Sequence, residues 1–151
     1  MKIVVSACLV GESCKYNGRD NYHRELVEAC ERTDTKVLLV CPEVFGGLPT
    51  PRDPSEIVEG EVCTCKGISV DREFRLGAQR ALDMCEQAGG PSEIAACILQ
   101  DRSPSCGTGR IYDGTFSGTL VAGNGVFVDL LLRHGYRVIP ASEFDPSMLR
   151  Q

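Results

Sequence analysis

Apolar residues fall along this chain in two rhythms, short unbroken runs and longer stretches at helical spacing. Three runs are short and continuous, Lys2–Ala7, Thr35–Val40 and Ala95–Leu99, and a fourth short strand is predicted over Tyr136–Ile139. Runs of this length bounded by turn residues read as strands buried on both faces. The longer stretches behave differently. Over 22–32, Tyr22, Leu26, Ala29, Cys30 and Thr33 share one helical face, with Asn21 placed to cap it. Over 71–88, Phe74, Ala78, Ala81, Leu82 and Cys85 repeat at three and four, and Gly89-Gly90 stops the helix. A third helix covers 126–134 and ends at Gly135; a short one closes the chain over 142–150. Residues 57–70 suggest a small hairpin around Lys66-Gly67. Strands alternating with helices predict an α/β layer fold, with a mostly parallel sheet of about four strands in one domain over 1–151.

Three connections are too long and too rich in turn residues to be mere links. They are 8–21, 41–61 and 101–118. The second carries four prolines and three glycines in 21 residues, which excludes long regular structure there. Long loops inside a small domain are usually functional. In a parallel sheet, the loops leaving neighbouring carboxyl ends converge on one crevice. Each of these loops holds a cysteine just past an apolar run: Cys8, Cys41 and Cys106.

Composition narrows what the thiols can be doing. The net charge is −5, so the basic footprint of a nucleic-acid binder is missing. No window approaches the ~18 apolar residues of a membrane span, and the opening MKIVVSACLVG has no signal-peptide core. These features predict a cytoplasmic protein. There, nine cysteines are ligands, catalysts or core residues rather than disulfides.

The cysteines separate by setting. Cys30 and Cys85 lie on apolar helix faces and Cys97 within a strand, where thiols serve as small core residues. Cys63 and Cys65 alternate with polar residues as the face of a strand does; a lone C-x-C is a weak metal signal. Cys14 reads as a buried neighbour of Cys8, with accessory-ligand and redox-partner roles open. Cys8, Cys41 and Cys106 sit beside Gly, Pro and Ser, whose amides and hydroxyls stabilise thiolates and cluster sulfides. Paired C-x₂-C spacings of structural zinc are absent, and the two histidines, His23 and His134, read as solvent-facing helix residues. Three thiols without histidine favour a soft, sulfur-binding centre with one position open.

Polar residues accompany the thiols. Glu43 lies two residues past Cys41, and in an extended segment both would face the same way, making Glu43 a candidate general base. SPSCGTG (103–109) has the hydroxyls and glycines of an anion-binding nest. Lys15, Arg52, Arg102 and Arg110 stand in the same loops as candidate anchors for a phosphate or ring carbonyl.

Three blocks, SACLVGESCKYNG, CPEVFGGLPTPRDPSEI and RSPSCGTGRIYDGTFSG, together resemble the signature blocks of the thiouracil desulfidase family, in order and at family-like spacing. The resemblance implies a Rossmann-like three-layer fold. It also implies a [4Fe-4S] cluster bound by Cys8, Cys41 and Cys106, with the fourth iron left for the substrate's sulfur. Glu43 and Ser103 become the catalytic pair, in a non-redox, hydrolytic enzyme converting C=S to C=O on thiolated uracil bases or nucleotides and releasing hydrogen sulfide. The partner expected is thus a small thiolated pyrimidine rather than nucleic acid. Two rivals stay open: an iron–sulfur or sulfur-carrier protein without thiobase turnover, and a metal-free enzyme using Cys41 or Cys106 as nucleophile.

Overall fold

Alternation along the first strand sets the layers. A computed structural model describes residues 1–149. In strand β1 (Lys2–Ser6), Ile3 and Val5 enter one apolar cluster and Val4 the other. In β5 (Ala96–Leu99), Ala96 and Ile98 take the first side, and Cys97 and Leu99 the second. Two-faced burial of this kind is what a parallel central strand requires. β1 pairs in parallel with β2 (Lys36–Val40) on one side and with β5 on the other; β5 pairs in parallel with β8 (Val138–Pro140). The order is therefore β2-β1-β5-β8.

Helix α1 (Arg24–Arg32) covers one face through Leu26 and Ala29. Helices α3 (Asp71–Gln87) and α4 (Val126–Arg133) cover the other, through Ala78, Ala81, Leu82, Phe127, Val128 and Leu131. The result is the expected three-layer α/β fold. Two antiparallel hairpins stand outside the sheet, β3–β4 (Ser55–Val58, Glu61–Thr64) and β6–β7 (Arg110–Tyr112, Leu120–Ala122).

Some elements differ from expectation. The turn joining β3 to β4 is Glu59-Gly60, both at positive φ; Lys66-Gly67 makes a further turn after β4. The β6–β7 hairpin lies in a stretch that reads as a plain loop, because its strands are only three residues long and glycine-flanked. His23, rather than Asn21, caps α1: its Nδ1 accepts the Leu26 amide at 3.2 Å. Its Nε2 lies 3.2 Å from the Ala141 carbonyl oxygen and its ring meets Phe144 edge-on, so it is not a solvent-facing residue. Tyr22 precedes the helix and is exposed. The closing segment forms two 3-10 turns, Ala141–Glu143 and Pro146–Leu149, with Pro146 breaking any continuous helix; Arg150 lies outside the described residues. Among the described residues no helix is long and apolar enough to cross a membrane.

One contact positions the site. A short helix, α2 (Pro42–Phe45), follows β2 and lies flush on α3. A Cβ at Gly77 would fall 1.7 Å from the Pro42 carbonyl oxygen, and one at Gly46 1.9 Å from that of Glu73. Glycine inside a helix costs about 0.5–1 kcal/mol relative to alanine. Here it permits a backbone-to-backbone approach that no other residue allows.

Candidate active site

The chain runs from β1 outward to β2, then crosses back to β5 on the other side of β1. The order reverses at the β1/β5 gap, which is where doubly wound sheets bind ligands. Across this gap the Gln100 amide donates to Ser6 Oγ at 3.0 Å. A cavity of about 580 Å³ opens there, and Cys8, Cys41, Glu43, Ser103, Ser105 and Cys106 all line it.

Each thiol arrives by a different local device. Cys8 sits in a 3-10 turn directly after β1, closed by Gly11 at φ 100°. Cys41 directly follows β2 and is the extended N-terminal neighbour of α2. Cys106 lies in the loop after β5; its amide donates to Ser103 Oγ at 2.7 Å, and Gly107 N–H bonds the Ser103 carbonyl at 2.9 Å. The first amides of α4 complete this loop: Val126 N–H donates to Pro104 O and Phe127 N–H to Ser105 O. A helix start has orphan amides to satisfy, and the loop carbonyls satisfy them.

The thiols are electrostatic neighbours. A hydrogen bond from Cys14 holds the Cys8 thiol below its ordinary range against burial, and Asn21 Nδ2 adds a contact at 3.6 Å. Negative charge on Cys106 or Cys41 opposes ionisation of Cys8, and charge on Cys41 opposes that of Cys106. Burial pushes the Cys106 thiol up to about 12, opposed chiefly by a hydrogen bond from Ser6. The hydrogen bond Cys41 gives Cys14, then burial, pushes its thiol up as well.

Among the described residues no three His, Cys, Asp or Glu side chains converge closely enough to hold a single metal ion. The site thiols instead border one shared cavity, each on its own loop. A multi-iron cluster, taking one thiolate per iron, fits that donor set; a mononuclear zinc site does not.

Glu43 is held at both carboxylate oxygens. Arg52 Nε donates to Oε1 at 3.1 Å and Ser105 Oγ to Oε2 at 2.9 Å. The Ser105 hydroxyl also lies 3.7 Å from Cys106 Sγ, but its one proton is better spent on the nearer, charged acceptor. Ser103 Oγ is 3.3 Å from Ser105 Oγ, so with Ser105 committed to Glu43 the Ser103 hydroxyl donates to it. A line of hydroxyls thus runs from Ser103 to Glu43.

Residues 3–143 match the 2-thiouracil desulfurase family. YbbK of Bacillus subtilis strain 168, an uncharacterized protein, is 37% identical over 95% of this chain and 97% of its own. The solved structure of the [4Fe-4S]-dependent thiouracil desulfidase TudS superposes with a TM-score of 0.87 at 41% identity, covering 97% of this chain and 94% of that one. This chain belongs to the 2-thiouracil desulfurase family.

Within this desulfurase fold, the residues singled out from the sequence come together with two changes of reasoning. Glu43 lines the cavity from a helical turn, not from an extended segment, and α2 aims it. Arg52 does not offer itself to a ligand. Beyond Glu43 it bonds the carbonyls of Pro49 and Cys14 and the Thr50 hydroxyl, and its side chain is 8% exposed. Lys15 and Arg102 do line the cavity; Arg110 is not among its walls. Cys85 and Cys97 are fully buried, as core residues should be, and Cys30, on α1, packs half-buried against the apolar cluster under that helix. Cys63 lies half-buried in β4, whereas Cys65 is exposed at the cavity rim.

Sequence reasoning overlooked Ser105 and the main chain of Cys14. The Cys14 carbonyl accepts from Arg52 Nη2 at 2.8 Å and from the Cys41 thiol at 3.9 Å, tying the first site loop to the second. No residue-type signal marks a carbonyl for such a task.

The shielded Arg52–Glu43 pair carries a prediction. Arg52→Met leaves Glu43 with one partner and removes the side-chain tie from Arg52 to the Cys14 carbonyl, and kcat is expected to fall about 10–100-fold with the cluster absorbance retained; a buried ion pair broken on one side costs about 3–5 kcal/mol. Arg52→Lys recovers only part, because an ammonium cannot reproduce the guanidinium fork. Anaerobic steady-state kinetics beside absorbance spectra check it.

Proposed function

We propose that this protein is a [4Fe-4S]-dependent desulfidase of thiolated uracil bases or nucleotides, replacing C=S by C=O with release of hydrogen sulfide. The observation that carries this reading is the meeting of Cys8, Cys41 and Cys106 with Glu43 in one cavity at the β1/β5 gap. Cys8, Cys41 and Cys106 would hold the cluster. When bound, it supplies a soft Lewis acid that attracts a thiocarbonyl sulfur and draws electron density from the ring carbon.

The remaining chemistry belongs to side chains. Glu43, fixed at both oxygens, takes a proton from the water that attacks the ring carbon. Arg52 keeps that carboxylate aimed into the cavity. Ser103 lies one hydroxyl away from Glu43 and holds the ring nitrogen or the water through its own oxygen. Both protons of the water end on the departing sulfide, so nothing is oxidised or reduced. The acidic net charge and the size of the cavity suit a free base or nucleotide better than a nucleic acid. Nine unpaired cysteines suit a reducing cytoplasm.

Anaerobically reconstituted protein incubated with 2-thiouracil, 4-thiouracil or 4-thio-UMP tests the proposal. Uracil or UMP should appear with an equal amount of sulfide, and iron removal should stop it. A loaded cluster with no uracil or UMP formed would instead identify an iron–sulfur or sulfur-carrier protein, and turnover surviving complete metal removal would identify a cysteine nucleophile.

A further inference from the structure

The tip of the β6–β7 hairpin, 113–119, borders the same cavity through Phe116. Phe116 has φ 57°, a region that bulky residues seldom enter. The residue is 36% exposed, an open position for a large apolar residue. The backbone beneath it is held by a carboxylate from another hairpin: Glu56 Oε1 accepts the Gly114 amide at 2.9 Å and the Phe116 amide at 3.2 Å. Glu56 is only 8% exposed, and burying a carboxylate is costly unless it is paired in this way. Gly114, at φ 91°, lies so close to β3 that a Cβ would come 2.7 Å from the Ile57 carbonyl oxygen. Hydroxyls brace the rest of the tip, Thr115 to Ser117 at 2.6 Å and Ser117 to Thr119 at 2.9 Å.

These features share one effect. They fix a strained backbone at the apex and place an aromatic side chain on the wall of the cavity that the thiols and Glu43 also line. Phe116 belongs to none of the three apolar clusters, so the hydrophobic core does not account for it. A flat heterocycle gains a preformed stacking partner, whose ordering cost is met at folding rather than on binding.

We propose that Phe116 is a specificity-determining residue that stacks on the pyrimidine ring of the substrate, with Glu56 as the positioning residue that presents it. The inference rests on the thiopyrimidine reading of the cavity and adds to it the part of the wall that recognises the ring. It also orders substrates: a ring thiocarbonyl such as 2-thiouracil is preferred over thiourea, which has the C=S group but no ring to stack.

The test uses anaerobic holoenzyme in four forms, wild type, Phe116→Ala, Phe116→Tyr and Glu56→Ala, with Phe116→Leu in reserve should the alanine form fail to fold. The readouts are KM and kcat for 2-thiouracil, calorimetric affinity for uracil, cluster absorbance and thermal midpoint. Phe116→Ala is expected to raise KM and weaken uracil binding about tenfold, or ~1.4 kcal/mol, within the usual range for a base stacked on an aromatic side chain. kcat and absorbance should stay close to wild type, and Phe116→Tyr should restore affinity. Glu56→Ala should weaken binding in the same direction with Phe116 still present. An active enzyme whose KM and uracil affinity ignore Phe116→Ala overturns the inference and leaves the desulfidase reading intact. An inactive wild-type holoprotein that binds uracil only with Phe116 in place overturns the desulfidase reading and leaves the ring contact standing.

Discussion

Glu43→Gln holoenzyme should stay brown and lose thiouracil turnover by about 10³-fold, within the 10²–10⁴ range that a positioned general base contributes. Glutamine keeps the size and planarity of the side chain. It cannot take a proton from water, and it presents an amide N–H₂ to one of two donors, Arg52 or Ser105, that now meet an acceptor. Anaerobic product analysis and the absorbance spectrum read the two properties separately. A colourless variant would show that the carboxylate shapes the thiol loops, and an active one would hand the base role elsewhere. Because the glutamate stands on α2, and α2 on α3, its backbone has no freedom to compensate.

Cys106→Ser should bring iron and acid-labile sulfide to background levels and abolish turnover, with the folded state retained. The substitution changes one atom, and the site is well suited to a small polar group: the Ser6 and Ser105 hydroxyls already lie against it. What changes is donor softness. A hydroxyl is a poor ligand for an iron–sulfur centre, and two thiolates cannot hold three corners of a cluster. Cys30→Ser, on α1, serves as the control and should load fully. Iron and sulfide quantification with circular dichroism checks both. Normal loading of Cys106→Ser would remove this thiol from the ligand set.

The sheet was legible because its apolar runs are short and three of the four lead into loops rich in glycine, proline and serine. Such runs state both burial and end point, and the end points are where the site forms. The hairpins were harder. Arg110–Tyr112 and Leu120–Ala122 have too few residues for alternation to emerge, and their pairing is set by the turn-rich tip between them. Glu43 was found for a partly mistaken reason, since Pro42 starts a helical turn where an extended segment was expected. Ser103 and Ser105 could not be ranked from sequence. Both are small hydroxyls beside a cysteine, and only the packing of α4 against 103–107 decides that Ser105 meets the carboxylate while Ser103 caps the Cys106 amide. His23 shows the same limit from the other side, for its role depends on Ala141 and Phe144, more than a hundred residues away.

The Gly46–Gly77 seam limits how this scaffold can be re-engineered. Main chain meets main chain there, so no methyl group exists to trim and no bulk can be added without prising α2 from its bed. The depth of the catalytic floor is thereby fixed by covalent geometry, beyond the reach of ordinary point mutation. Libraries aimed at larger heterocycles should leave that floor alone and diversify the mouth, where Tyr16, Tyr112 and Phe116 offer replaceable side chains.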